Sequence, residues 1–287
     1  MKLKTIGVVG AGTMGAGIAQ IIAQSGFAVI VYDLNESAVN RGIGQIAARW
    51  AKQVQQGKWT EQDVWAFEQR LTPTTDLQAF SDCHLVIEAV PEVLSIKEAT
   101  FRRLAEICPA ETLLVTNTSS FSVTEIASCT MRPERVAGLH FFNPAPVMPL
   151  VEIVKGLQTA KETVVCLEQF AAAIGKEPVV CQDTPGFVVN RIARPYYNEA
   201  VRIWGDQVAD VAQIDRIMKK AGAFRMGPFE LQDLIGIDIN FSTTTSVHQG
   251  FFADARFRPH YLQQRMVQSG QIGRKAGGGY YRYEDKN

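Results

Sequence analysis

The segment 5–32 contains no charged residue and is interrupted by six glycines, at positions 7, 10, 12, 15, 17 and 26. Its length would suit a membrane-spanning helix or a signal peptide. A continuous apolar helix would not carry so many glycines, because each one weakens it. We therefore predict a strand at 5–9, a glycine turn, a helix at 13–25 and a second strand at 28–32. Since this interpretation leaves no targeting segment, we expect a cytoplasmic protein without a membrane partner.

The glycine turn fits the dinucleotide-binding pattern G-x-G-x-x-G, formed here by Gly10, Gly12, Thr13, Met14 and Gly15. A strand before the turn, a helix after it and a second strand further on are the context that this pattern requires. The first glycine permits the tight turn, the second leaves room for a pyrophosphate, and the third lets the helix pack against the strand. Because the helix N-terminus offers N–H groups to phosphates, we expect these five residues to bind a dinucleotide. The alternative is a glycine turn that binds nothing.

Asp33 ends the second predicted strand, 18 residues after Gly15. An acid at this place accepts hydrogen bonds from the ribose hydroxyls of a dinucleotide. The 2′-phosphate of NADP would meet a carboxylate here, and neither position 34 nor position 35 holds an arginine or a lysine. The sequence therefore favours NAD over NADP as the cofactor.

The rest of the chain divides into two parts. Further strands are predicted at 84–88, 112–116, 136–140, 150–154 and 178–181, alternating with helices at 36–56, 61–70, 96–108, 122–128 and 162–174, which is typical of a parallel sheet covered by helices. After Thr184-Pro185-Gly186 the pattern is helical, with helices predicted at 187–204, 211–221, 227–248 and 259–269. We predict an α/β fold: a doubly wound Rossmann-type domain over 1–184 and a smaller all-helical domain over 185–287.

Composition narrows the possible partners. The 287 residues include 29 Lys and Arg and 29 Asp and Glu, so the formal net charge is zero, which argues against a nucleic-acid binder. Five cysteines, at positions 83, 108, 129, 166 and 181, show neither a CxxC pair nor a metal-ligand spacing. We interpret them as buried thiols in a reducing compartment and predict no metal site.

His140 is the informative histidine, because it ends a predicted strand at the sheet edge where open α/β sheets place their ligands. A connection stiffened by three prolines follows, and the next strand brings back Glu152. If the two strands are neighbours, Glu152 can accept a hydrogen bond from one ring nitrogen and leave the other to take a proton. The alternative is a structural histidine that caps a loop.

Polar residues also follow the strand before it, at Asn117 and Ser119. Both would lie on the same carboxyl edge as His140. They could bind a substrate hydroxyl or the nicotinamide, or they could cap the helix predicted at 122–128.

At these residues the sequence resembles the 3-hydroxyacyl-CoA dehydrogenase family, close to its bacterial 3-hydroxybutyryl-CoA branch, over essentially the whole chain. The resemblance is carried by segments 10–20, 117–120, 140–144 (HFFNP), 183–191 (DTPGFVVNR), 226–230 and 273–275. It implies reversible oxidation of an (S)-3-hydroxyacyl-CoA thioester by NAD, and a helical domain that forms a homodimer. The surplus of apolar residues in the helical half also favours a homodimer.

The resemblance further implies a role for individual residues. His140 resembles the catalytic base and Glu152 its orienting carboxylate. The other implied contacts are Ser119 and Asn190 with substrate, Glu92 and Lys97 with the NAD ribose, and Asn143 and Lys275 on the cofactor side. The family's CoA-binding helices would fall within 36–70, where Arg49 and Lys52 are available cations although the family's own serine and lysine align poorly.

Three alternatives stay open at this point. Arg194 lies one helical turn after Asn190 and could read the far carboxylate of 3-hydroxyadipyl-CoA, or it could pair with an acid at an interface. A dehydrogenase of the 6-phosphogluconate or 3-hydroxyisobutyrate type would use an early lysine of the helical domain, where this chain has Asn190-Arg191. A non-catalytic NAD-binding or crystallin-like protein would have no need for His140 and Glu152.

Overall fold

The structure, a computed structural model, describes residues 3–283. The chain divides into two compact units, Met1–Thr184 and Pro185–Asn287. No helix within residues 3–283 combines the length and the apolar character that crossing a bilayer requires.

The first unit contains one eight-stranded sheet. Its strands are β1 (Thr5–Val9), β2 (Ala28–Tyr32), β3 (Leu71–Thr74), β4 (Leu85–Glu88), β5 (Leu113–Thr116), β6 (Val136–Phe141), β7 (Leu150–Lys155) and β8 (Glu177–Gln182). Their spatial order is β3-β2-β1-β4-β5-β6-β7-β8. All neighbours run parallel except β6 and β7, which are antiparallel. The strand order reverses between β1 and β4, and open α/β sheets bind their ligands beside such a reversal.

Among the residues that the structure describes, six α-helices accompany this sheet: α1 (Thr13–Gln24), α2 (Glu36–Gln55), α3 (Glu61–Glu68), α4 (Leu94–Ile107), α5 (Val123–Ala127) and α6 (Lys161–Ala173). Successive side chains of a strand point to opposite faces, and the two faces have separate cores. One core joins Ile6 and Val8 of β1 to Ile18 of α1. The other joins Val9 of β1 to Phe101 of α4. Helices therefore lie on both faces, and the predicted doubly wound fold is confirmed.

The second unit is helical, with α7 (Val189–Gly205), α8 (Val211–Lys220), α9 (Pro228–Ile235), α10 (Ile237–Gly250) and α11 (Tyr261–Gln268). Its core includes Val201, Ile214 and Phe229. Buried aspartates organise the ends of its elements. Asp215 accepts hydrogen bonds from the backbone N–H groups of Phe229 and Glu230, at the start of α9.

The structure differs from the sequence analysis at three points. The helix predicted at 227–248 is two helices, because Gly236 adopts φ +106° between α9 and α10. Strand β3 was not predicted, since its sequence contains Pro73 and proline has low strand propensity. An edge strand tolerates proline because its outer side needs no hydrogen-bond donor. Only Cys83 and Cys108 are buried; the other three thiols are half-buried.

Candidate active site

The glycine turn joins β1 to α1 in a conformation that needs glycine at two positions. Gly10 has φ +101°, and a Cβ there would lie 2.5 Å from the carbonyl oxygen of Ala89. A Cβ at Gly15 would overlap the carbonyl oxygen of Gly10. Beside Gly12, in contrast, no atom of the described residues lies within 4 Å of the Cβ position. This pattern leaves open space in front of the helix, as a bound pyrophosphate requires.

The N-terminus of α1 offers backbone donors in that space. Gly12 caps the helix without a side-chain hydrogen bond, and the first turn contains no acidic residue. The first intrahelical bond runs from the Ala16 N–H to the Gly12 carbonyl. The N–H groups before Ala16 therefore have no partner within the helix and are available to an anion.

Asp33 stands at the end of β2 and has a structural role that sequence reasoning missed. Its Oδ2 accepts the N–H of Ala11 at 2.8 Å, and its Oδ1 accepts the N–H of Leu34 at 2.8 Å. The first of these bonds ties the carboxylate to the glycine turn. Its predicted contact with the ribose stays a prediction, but the turn and the acid are held together as such a contact requires.

His140 and Glu152 face each other on the antiparallel strands β6 and β7. Residues directly opposite in an antiparallel pair have neighbouring side chains. Here His140 Nδ1 lies 2.7 Å from Glu152 Oε2, and the two side chains are 8% and 0% exposed. A carboxylate at this distance places the proton on Nδ1, so that Nε2 is the nitrogen able to take a proton. The ring of Phe142 packs against the imidazole with a centroid distance of 4.6 Å.

The turn after β5 also lies at this edge. The side-chain oxygen of Asn117 accepts the N–H of Phe141 at 2.9 Å, which ties the end of β5 to the end of β6. The cap of α5 is Ser122, whose hydroxyl accepts the N–H of Glu125 at 3.2 Å. Asn117 and Ser119 therefore do not cap that helix, and the alternative role considered for them is wrong.

Glu92 organises the same turn. Its Oε1 accepts hydrogen bonds from the Thr118 hydroxyl at 2.6 Å, the Ser119 N–H at 3.0 Å and the Ser120 hydroxyl at 2.8 Å. Its Oε2 pairs with Lys97 Nζ at 3.0 Å. Burial acts to raise the pKa of Glu92, but the Lys97 charge and the hydroxyl hydrogen bonds outweigh it and hold that pKa below its ordinary value.

Lys97 has a second carboxylate partner, because its Nζ lies 2.8 Å from Glu88 Oε1. The two side chains are 1% and 0% exposed. The family resemblance predicted roles for Glu92 and Lys97 but none for Glu88. Glu88 could have been noticed as the single charged residue at the end of the apolar strand LVIE. Direct contact of Glu92 and Lys97 with a ribose stays a prediction.

The connection between β6 and β7 carries the exposed Asn143 and is held by a lysine that sequence reasoning missed. Lys176 Nζ donates to the carbonyl oxygens of Ala145 and Met148, at 2.6 and 2.7 Å. Burial lowers the pKa of Lys176. These two hydrogen bonds hold the loop that follows His140 in place. The cofactor contact of Asn143 stays a prediction.

The proposed CoA-side cations lie on α2. Arg49 is half-buried and reaches the side-chain oxygens of Gln20 and Gln45, each at 3.4 Å, while Lys52 is exposed. An open groove of about 470 Å³ lies between α2 and α3, and Trp65 contributes to its lining.

In the second unit, Asn190 is half-buried in the first turn of α7, and Arg194 follows one turn later with only 3% exposure. Arg194 donates to the Asn190 carbonyl at 3.0 Å, the Asn240 carbonyl at 3.0 Å and the Thr244 hydroxyl at 2.9 Å. Burial lowers the pKa of its guanidinium to about 10. Among the described residues no carboxylate forms an ion pair with Arg194, and a pairing with an acid across an interface stays a prediction.

Lys275, predicted to lie on the cofactor side, pairs with Asp238 at 2.7 Å within the second unit. Both side chains are partly exposed. Its predicted contact with the cofactor stays a prediction.

Comparisons with known proteins assign both units to one family. Residues 5–184 match the 3-hydroxyacyl-CoA dehydrogenase NAD binding domain, and residues 186–283 match the C-terminal domain of the same family. The chain is 50% identical, over 98% of its length, to 3-hydroxyadipyl-CoA dehydrogenase of Escherichia coli K12, but it spans only 59% of that protein. It is 44% identical to a probable 3-hydroxybutyryl-CoA dehydrogenase of Deinococcus radiodurans, covering 96% of this chain and 99% of that one.

A solved structure is similar throughout. The crystal structure of (S)-3-hydroxybutyryl-CoA dehydrogenase from Ralstonia eutropha superposes with a TM-score of 0.96 at 37% identity, covering 99% of this chain and 100% of the other. The two family models together match nearly all of the chain, one in each unit. The chain therefore belongs to the 3-hydroxyacyl-CoA dehydrogenase family and carries its NAD-binding domain and its C-terminal domain.

Proposed function

We propose that this protein is an NAD-dependent dehydrogenase that interconverts (S)-3-hydroxyacyl-CoA and 3-oxoacyl-CoA thioesters of short acyl chain. The observation that carries the proposal is the buried hydrogen bond between His140 and Glu152. It lies at the carboxyl edge of a sheet whose glycine turn fits a dinucleotide. A cytoplasmic location agrees with this chemistry.

His140 is the base of the proposed reaction. NAD, when bound, supplies the hydride acceptor. Nε2 of His140 takes the proton of the substrate 3-hydroxyl, and the Glu152 carboxylate stabilises the imidazolium that forms. General-base catalysis of this kind is worth about 10²–10⁴-fold in rate. In the reverse direction the imidazolium returns the proton to the 3-oxo oxygen.

Other side chains orient the reactants. Ser119 lies on the turn that Glu92 holds, and we assign to its hydroxyl the positioning of the substrate 3-hydroxyl. Asn190 stays the proposed contact of the thioester. Arg49 and Lys52 are the cations proposed for the phosphates of CoA, since both lie on α2. Correct orientation of two reactants can lower the activation barrier by up to about 7–11 kcal/mol.

The proposal also includes a homodimer formed through the second unit. Leu234 and Ile235 of α9 and Ile239 near the start of α10 are exposed, and they are near one another in the chain. Exposed apolar side chains that lie close together mark association surfaces.

The test is the absorbance of NADH in the presence of acetoacetyl-CoA. The proposal expects saturable NADH oxidation, with a much lower kcat/KM when NADPH replaces NADH. Binding of NADH without turnover of any 3-oxoacyl-CoA would overturn it and favour a non-catalytic NAD-binding protein.

A second substrate is favoured by one specific observation. Arg194 is a buried guanidinium, and no acid pairs with it within residues 3–283. Burying a charge without a counter-ion is costly, and a bound carboxylate would supply one. A terminal carboxylate is present in 3-hydroxyadipyl-CoA, which appears in the name of the Escherichia coli relative. We therefore propose 3-hydroxyadipyl-CoA as an alternative substrate.

This alternative is tested by comparing kcat/KM for 3-hydroxyadipyl-CoA and 3-hydroxybutyryl-CoA in the native protein and in Arg194→Leu. A selective loss on the diacid thioester supports it, and equal losses on both substrates contradict it. Arg191→Leu is the matched control, because Arg191 lies on the same helix with its guanidinium over the ring of Phe251.

A further inference from the structure

Glu88 lies at the end of β4, beside β1, where the strand order of the sheet reverses. The next residue, Ala89, approaches the glycine turn, since its carbonyl oxygen would lie 2.5 Å from a Cβ at Gly10. This is the region of an open α/β sheet in which ligands bind. Glu88 is nevertheless 0% exposed, so it is a buried charge in the wall of the candidate site.

Both carboxylate oxygens of Glu88 have partners inside the protein. Oε1 accepts from Lys97 Nζ and from the Val90 N–H, each at 2.8 Å. Oε2 accepts from the Thr116 hydroxyl at 2.7 Å. With no exposed surface and with protein donors on both oxygens, Glu88 has no face open to a ligand in this structure.

Two arms run from Glu88 to the turn that carries Ser119. In the first arm, Lys97 bridges Glu88 to Glu92, and Glu92 accepts the hydrogen bonds of the turn. In the second arm, the Thr116 hydroxyl donates to Glu88 and accepts the N–H of Thr118 at 3.1 Å. The two arms meet at residues 118–120.

We propose that Glu88 is a positioning residue for the dehydrogenase reaction and acts through Ser119. Its carboxylate fixes the Lys97 ammonium and the Thr116 hydroxyl, and these two groups fix the turn from both sides. Without the Glu88 charge, Glu92 is the one carboxylate partner that Lys97 keeps among residues 3–283. Because a buried ammonium needs its partners, it would draw Glu92 away from the Ser119 N–H. This inference rests on the proposed function.

The test is a double-mutant cycle on Glu88→Gln and Ser119→Ala, measured as kcat/KM for acetoacetyl-CoA. Such cycles isolate the coupling between two residues. We expect Glu88→Gln to lower kcat/KM by about tenfold in the native background and by less than about twofold in the Ser119→Ala background. Because Lys97 and Glu92 are also the proposed contacts of the NAD ribose, the dissociation constant for NADH is measured for each variant and kcat/KM is compared at saturating NADH. Equal factors in both backgrounds would overturn the proposal and leave Glu88 a purely structural role.

A second pair of variants covers the case in which Glu88→Gln does not fold. Thr116→Val removes the hydroxyl of the second arm and keeps the side-chain shape. Thr112→Val is its control. Thr112 is also buried, but it precedes the first residue of β5, and its hydroxyl donates to the Cys83 carbonyl at 2.7 Å. Thr116→Val should lower kcat/KM for acetoacetyl-CoA, and its effect should vanish in the Ser119→Ala background. Equal activity of Thr116→Val and Thr112→Val would contradict the proposal.

The proposal and the proposed function fail in different ways. A native protein that does not reduce acetoacetyl-CoA overturns the proposed function, and this inference falls with it. A native protein that is active, with equal Glu88→Gln losses in both backgrounds, overturns this inference alone.

Discussion

The two units differ in how completely they satisfy their own polar groups. Among the described residues of the first unit, Gln20 alone has a buried side-chain atom without a hydrogen-bond partner. In the second unit the residues with such atoms are Asn198, Gln232, Asp238, Asn240, His248 and Gln263. Buried polar groups are normally bonded. Nearly all buried polar side chains of the first unit are therefore bonded, whereas several of the second unit have atoms without a partner among the described residues.

Charge shows a weaker contrast. In the first unit Lys97 pairs with Glu88 and Glu92, and Glu152 pairs with His140, whereas the buried Lys176 bonds to backbone carbonyls. In the second unit the buried Arg194 bonds only to neutral oxygens among the described residues. The proposed proton-transfer pair, His140 and Glu152, lies in the first unit. The proposals for a distal carboxylate and for a homodimer rest on Arg194 and on exposed apolar residues of the second unit.

The largest expected effect would come from the base. His140→Gln should lower kcat by about 10²–10⁴-fold, because glutamine cannot accept the proton, while NADH binding should stay nearly unchanged. Steady-state NADH oxidation and NADH titration measure the two quantities. His84→Gln is the control, since His84 precedes β4 at the opposite edge of the sheet. A variant with more than half the native kcat would refute the role of His140.

A smaller effect is expected for cofactor choice. Leu34 is 82% exposed beside Asp33, so an arginine there could reach a 2′-phosphate. The double variant Asp33→Ser, Leu34→Arg should raise the ratio of kcat/KM for NADP to that for NAD by at least about tenfold, through a charge-assisted hydrogen bond. Leu34→Arg alone is the control and should change the ratio less. Equal use of both cofactors by the native protein would contradict our interpretation of Asp33.

Association tests the second unit directly. Light scattering of the native protein at micromolar concentration should give the mass of a dimer. Leu234→Glu places a charge on the exposed apolar surface of α9 and should shift the mass toward the monomer. Leu157→Glu, at a 90% exposed position in the first unit, should leave it unchanged. A native monomer would refute the dimer.

The smallest effect concerns pH. The pKa of Glu92 in the folded protein is lowered from its ordinary value of 4.5. Its contribution to stability is therefore present above pH 4.5 and is lost as the pH falls through the lowered pKa. Between about pH 7 and about pH 3.5 the native Tm should fall more than the Tm of Glu92→Gln. Glu106 is an exposed carboxylate paired with Arg103, and the Tm of Glu106→Gln should fall over this pH range as much as the native Tm. A steeper fall for Glu92→Gln would contradict this assignment.

The sequence was informative wherever a local pattern determines the structure. The glycines at positions 10 and 15 need particular backbone surroundings, and position 12 borders open space, which is why the glycine turn could be predicted. The approach of Glu152 to His140 was predicted as well, because a short proline-rich connection separates two strands. That these strands run antiparallel was not predicted, and this direction determines their direct pairing.

The parts that could not be predicted depend on distant contacts. Glu88 and Lys176 are charged residues whose partners lie elsewhere in the sequence or on backbone carbonyls, and neither spacing nor periodicity reveals those partners. Gly236 interrupts an otherwise helical pattern, and a single glycine inside a helix is common enough to be tolerated. The break between α9 and α10 follows from its φ, which only the structure gives.

We propose that His140 and Glu152 of the first unit work as one acid–base pair. This is tested most directly by measuring kcat for NADH-dependent reduction of acetoacetyl-CoA in a set of variants. The set contains His140→Gln, Glu152→Gln and the double variant. Residues that act as a unit lose activity once and not twice. The double variant should therefore have nearly the same kcat as His140→Gln. A double variant whose loss equals the product of the two single losses would contradict it.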